Sequence, residues 1–338
     1  MRAIRIRTGC AVMTAMAGLC LGTGAQAAQA ASAAADAAAA VPVPAKTIPV
    51  GARPDGIAVS PVTGDVYVTN YNDGTVSVIN GLSGRVTRTI TVGSDPWWVA
   101  VSPLTGEIYV VNSQFTSGSG GDSVSVISGR TNTVITTIPV GSIPEGVAVS
   151  PQTGDVYVTN SDDNDLSVIS GQTNTVIGTI PVVSNTAAVA VSPVTGNIYA
   201  TGYDPGMVSV ISGRTGAVIK TLTFGGGLGA LAVSPVTGEV YVTGGEGNKV
   251  YVINGRTQTV VKTITPGQDT FGVAVSSQTG MVYVADVDEN TVSVIDGATD
   301  RVVGTASVGQ SLDALAISPQ THAVYVTNIN DNTVSEFG

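Results

Sequence analysis

The stretch "SPVTGDVYVTN", Ser60 to Asn70, decides how this chain is read, because the chain writes it seven times. "SPLTGEIYVVN" begins at Ser102, "SPQTGDVYVTN" at Ser150, "SPVTGNIYATG" at Ser192 and "SPVTGEVYVTG" at Ser234. "SSQTGMVYVAD" at Ser276 and "SPQTHAVYVTN" at Ser318 complete the set. The spacing is 42 residues throughout, except for 48 between Ser102 and Ser150. Tyr67, Tyr109, Tyr157, Tyr199, Tyr241, Tyr283 and Tyr325 hold one place in the period. A period in the low forties without a helical pattern indicates a β-propeller with one four-stranded blade per repeat.

The third repeat shows the strands. "GVAVS" from Gly146 is strand a, "VYVTN" from Val156 strand b, "LSVIS" from Leu166 strand c and "TVIGTIPV" from Thr175 strand d. Pro-Gln-Thr-Gly, Asp-Asp-Asn-Asp and Gly-Gln-Thr-Asn separate them as turn formers. The runs are apolar because neighbouring blades cover both faces of a blade. The repeated tyrosine is then packing between blades. Pro49, Pro139 and Pro181 fall at equivalent places in strand d, which marks it as the outer edge, where a missing donor is tolerated. The seventh repeat stops after strand c, at "NTVSEFG" (332–338). Its missing strand d is expected at the other end of the chain, in Lys46 to Val50, so that an N-terminal strand closes the ring.

Recurring "YVTN", "DNTVSVI" and "GVAVSPxTG" resemble the YVTN β-propeller repeat family of surface-layer-type and periplasmic proteins. The resemblance covers Lys46 to Gly338 and implies an all-β, seven-bladed propeller working outside the cytoplasm. The matched motifs are structural, so it carries over no catalytic residue, and propellers host many chemistries.

Upstream of the repeats the composition changes. Arg2, Arg5 and Arg7 precede an apolar run and Ala25-Gln26-Ala27, the order of a signal peptide over residues 1–27. Residues 28–45 are an Ala/Pro-rich linker, and 46–338 the propeller. Both cysteines, Cys10 and Cys20, lie in the leader, so the mature chain would be thiol-free and secreted or extracytoplasmic. Taking the three leader arginines from the 14 basic residues leaves 11 against 24 acidic ones, which makes nucleic acid an unlikely partner. No later segment is long and apolar enough to span a bilayer.

Little of the chain looks catalytic. The one histidine, His322, stands where the other repeats carry a turn glycine. No G-x-S-x-G, H-E-x-x-H or cysteine metal motif is present. The Asp286–Asn290 and Asp162–Asp165 turns are oxygen-rich but lack the glycine and glutamate of a calcium loop, and they read as turns. No metal ligand is assigned; a divalent cation such as calcium is the one cofactor that those acids leave room for.

Binding residues are sought where a repeat departs from its consensus. The position just before strand a, at the channel mouth, reads Asp55, Trp97, Glu145, Ala187, Gly229, Phe271 and Asp313. The next reads Gly56, Trp98, Gly146, Ala188, Ala230, Gly272 and Ala314, and only the second repeat places a large side chain there. That repeat also has the one insertion, with Phe115 and "TSGSGGD" from Thr116. The candidates are therefore Trp97, Trp98 and Phe115 on the second blade, with Asp55, Glu145, Phe271 and Asp313 around the mouth. An exported, non-catalytic binding or scaffold module for a protein or glycan is the expected function. The alternative is a carboxylate- or divalent-metal-dependent enzyme of the lactone hydrolase or lyase type.

Overall fold

A computed structural model of the chain describes residues 46–113, 122–183, 185–244 and 248–338. Within these residues, 28 strands form seven four-stranded antiparallel sheets, and the only helical turn is a short 3-10 segment, Tyr71–Asp73. The innermost strands, a, are Pro54–Val59, Pro96–Val101, Pro144–Val149, Thr186–Val191, Leu228–Val233, Thr270–Val275 and Leu312–Ile317. Each packs on the a strand of the next blade, and the seventh packs back on the first. The result is a closed seven-bladed β-propeller.

Closure comes from the N-terminal strand. Lys46–Pro49 pairs antiparallel with Thr333–Phe337, joining Lys46 to Glu336 and Pro49 to Thr333, and makes the fourth strand of the blade built by the last repeat. Ile48 is its buried anchor. The signal-peptide and linker assignments fall on residues outside those described.

Burial follows position in the blade. Strands b and c are apolar and covered on both faces; Val156–Asn160, for instance, is buried throughout. Strand d is not. Thr175–Pro181 is exposed everywhere except Ile180, and Ile48, Ile90, Ile138 and Ile264 are the corresponding inward residues. An edge strand has one covered face at most, so one aliphatic anchor per d strand suffices. The terminal prolines Pro49, Pro139 and Pro181 are exposed there, where they discourage strand addition. Seven clusters of buried side chains occupy the interfaces between consecutive blades, one of them joining the last blade to the first through Ile57, Ala314 and Tyr325.

The repeated tetrapeptide works as a set of joints. The tyrosine ring is buried between blades and its hydroxyl reaches the next blade's c–d turn: Tyr67 donates to Asn132 Oδ1 and Tyr109 to Asn174 Oδ1, both at 2.9 Å. Tyr325 donates to the Gly81 carbonyl at 3.3 Å, across the closure. The threonine bridges inward. Thr69 accepts from the Gly56 N–H and donates to the Trp97 carbonyl of the next blade, both at 2.8 Å. Thr159 does the same to Ala187, Thr201 to Gly229, Thr243 to Phe271 and Thr327 to Asp55. The asparagine ties its own blade together. Asn70 Oδ1 accepts the Gly51 N–H at 3.0 Å while Nδ2 donates to Ser77 at 3.0 Å. A β-carbon on Gly51 would stand 2.5 Å from Asn70 Cγ, so the turn before strand a needs glycine. Most of these buried polar groups find partners within the blade or in the next one, Asn160 Oδ1 and Asn328 Oδ1 being exceptions, and that pairing is why the same residues recur in place.

His322 adopts φ 66°, close to the 72° to 79° of the glycines at this place in the other repeats, as a turn residue should.

Candidate functional site

The channel mouth is built on a recurring β-bulge. In blade 1, Pro54 pairs with Asn70 and Ile57 with Val68, so Asp55 and Gly56 oppose Thr69 alone. The same shift occurs in every a strand. A bulge turns its extra residue out of the ladder and re-aims the side chain. The sequence places the mouth residues just before strand a; they are its second and third residues, and the bulge directs them. A threonine bridge pins the bulge to the next one in five blades; Val111 and Ala285 take the threonine's place in the second and sixth.

Trp97, Trp98, Glu145 and Phe271 converge. With the small residues of blades 3 to 5 (Gly146, Ala187, Ala188, Gly229 and Ala230) and with Tyr203, they line one cavity at the axis. Its volume over water-centre positions is about 30 Å³, room for about two water molecules. A second cavity of about 200 Å³ shares Tyr203, Gly229 and Phe271 and is bordered by Asn248, Asp269 and Thr270. Trp98 narrows the bore. It packs against the core joining blades 7 and 1 and against the core joining blades 2 and 3. The six corresponding residues are Gly or Ala, and at Gly272 a β-carbon would meet the Asp313 carbonyl at 2.1 Å. One large side chain fits because the others are small.

Asp55 and Asp313 belong to an adjoining group under Arg53. The Arg53 Nε lies 3.5 Å from Asp55 Oδ2. Its guanidinium stacks 4.0 Å from the Tyr71 ring centroid and 5.6 Å from that of Trp97, and the two rings meet edge to face at 5.4 Å. Trp97 thus has one side engaged by Arg53 and Tyr71 and another turned to the cavity. Phe115 lies outside the described residues.

All three acids of the mouth hold their protons unusually tightly. Burial pushes the Asp55 carboxyl to about 6, with Arg53 opposing. Burial takes Glu145 to about 7 against a hydrogen bond from Ser161, and the nearby Asp162 charge adds to the rise. Asp313 goes to about 8, through burial first and then the charge of Asp55, with Arg53 opposing. A carboxyl of raised pKa binds extra protons in the folded state, so it favours folding at low pH. That contribution fades as pH climbs from the unfolded value near 4 through the folded one. Melting temperature should therefore fall between about pH 5 and pH 9, and Asp313→Asn should flatten the part above about pH 7. An unchanged slope in that variant would show that Asp313 does not titrate there.

Arg53, Tyr71 and Tyr203 were not singled out by the sequence. A signal existed for two of them: Tyr71 and Tyr203 are tyrosines outside the 42-residue period, and both follow strand b, on the mouth's side. The oxygen-rich turns behave as turns. Asp286 is buried at the end of its strand and accepts from Ser293 at 2.7 Å, as the equivalent asparagines engage their own serines. Among the described residues, no three His, Cys, Asp or Glu side chains gather as a metal site. No helix among them is long and apolar enough to cross a membrane.

Fold and mouth together define the chain as a seven-bladed propeller with an aromatic and acidic axial site. No protein-family model matches it. A stretch of 34 residues is 71% identical to PE-PGRS family protein PE_PGRS18 of Mycobacterium tuberculosis, and it covers 10% of this chain and 7% of that protein. In three dimensions the chain is similar to Kuenenia stuttgartiensis hydrazine synthase, with TM-score 0.76 and 20% identity over 84% of this chain and 94% of that one. At that identity the likeness shows the fold alone.

Proposed function

We propose that this protein is a non-catalytic binding module of the YVTN type, exported by its N-terminal leader, which engages its partner, a protein or a glycan, at the channel mouth. The observation that carries this reading is the convergence on one cavity of Trp97, Glu145 and Phe271, from a position that varies between blades, and Trp98, the one large side chain at the next. Residues shared by the repeats are occupied in joining blades, so departures that meet in space mark what is particular to this chain. Charge, aromatic surface and a concave opening suit recognition.

The test is capture from culture medium and envelope extract by the immobilised chain. Phe271→Arg at the mouth should abolish capture, while Arg214→Ala, in the c–d turn between Met207–Ile211 and Val218–Thr223 and so at the other end of the blade, should leave it intact. Equal capture by both variants would move the binding surface elsewhere.

The rival reading, a carboxylate- or metal-dependent enzyme, draws on Glu145 and Asp313, whose raised pKa values suit proton transfer near neutral pH. Turnover of a lactone panel, lost on chelation and in Glu145→Gln, would favour it.

A further inference from the structure

The axial cavity combines three features that each favour the same chemistry. Its walls are aromatic: Trp97, Trp98, Tyr203 and Phe271. The negative faces of such rings attract a cation, most strongly where water is thin. It contains one carboxylate, Glu145, which takes a hydroxyl from Ser161 and has no cation among its described partners. Its remaining walls are glycine and alanine, whose small side chains leave room for a narrow object and nothing broad.

We infer that the cavity is a cage for a primary alkylammonium group, the terminal CH₂–NH₃⁺ of an aliphatic amine, held between the aromatic rings and hydrogen-bonded to Glu145. This rests on the reading of the mouth as a binding site and names what it binds. A space for about two waters matches two heavy atoms, a methylene and a nitrogen, better than a sugar ring or a trimethylated head. The rest of the ligand lies in the adjoining cavity of about 200 Å³, which opens past Tyr203 and Phe271. Asp269 on its border supplies a second negative charge for a second amine. Tyr203 stands near both Glu145 and Asp269, so cage and vestibule share a negative potential once Glu145 is ionised, above about pH 7. Both lysine side chains and free polyamines present this group, and the two sources separate by experiment.

Calorimetric titration of the whole chain at low salt would use n-butylammonium chloride, 1,4-diaminobutane, Nα-acetyl-lysine methylamide and the neutral n-pentanol. Saturable binding of the ammonium probes and none of the alcohol is expected. Tighter binding of the diamine than of n-butylammonium would assign Asp269 and a polyamine. Tighter binding of the lysine derivative would assign a peptide. Glu145→Gln and Phe271→Leu, which keep polarity or volume, should each weaken binding about tenfold or more with the fold retained, as read from the circular dichroism spectrum. Equal heats from n-butylammonium and n-pentanol, no binding of any amine, or full affinity in Glu145→Gln would overturn the inference. If mouth-dependent capture of a partner persists alongside such a result, the cage fails and the binding module stands. If neither is seen, both fail.

Discussion

Removing residues 1–50 should lower the unfolding midpoint far more than removing residues 1–42. The longer deletion takes away Lys46–Pro49, which pairs with Thr333 to Glu336 and turns a three-stranded last blade into a four-stranded one. It also removes Ile48, 3% exposed and part of the core joining the last blade to the first. Truncating such an aliphatic side chain alone costs about 2–5 kcal/mol. Deletion adds the unpaired ladder of Thr333–Phe337, and both losses fall on the one blade whose strands come from opposite ends of the chain. Melting curves of the two truncated chains check this, with Ile48→Ala expected in between. Equal midpoints for both deletions would mean that the ring holds without its N-terminal strand.

Trp98→Ala should lower stability by about 2–3 kcal/mol, less than the ~3–5 kcal/mol of a fully buried tryptophan because its side chain keeps partial contact with solvent. No neighbour refills the space. The facing positions in the other blades are Gly or Ala on backbones already in close approach; a β-carbon at Gly56 would lie 2.6 Å from the Trp97 carbonyl. The axial cavity therefore enlarges without collapsing. Added indole should enter it and raise the melting temperature of the variant while leaving the parent unchanged. Equal stability of parent and variant would show that Trp98 does not plug the bore.

Blade number, strand order, the edge character of strand d and the N-terminal closing strand were all legible in the residues. Each is written locally, once per period, by residues whose partners sit within a blade or in the next one: the tyrosine of "YVTN" reaches the next blade's c–d turn, the threonine the next blade's bulge and the asparagine a serine of its own blade. The closing strand was legible because the last repeat lacks what the first residues supply. The mouth was legible only as a set of exceptions. Trp97 and Trp98 could be marked as departures and Glu145 and Phe271 as mouth residues, but not as the walls of one cavity. Nor could Asp55 and Asp313 be set apart from them under Arg53, or Tyr71 and Tyr203 be drawn in. The reason is geometric. Each blade delivers one bulge to the axis, from positions about one period apart in sequence, and which of these side chains meet depends on ring closure and on loops that break the repeat. The repeats by themselves determined how blades join; only the closed ring decided which side chains face one another across its centre.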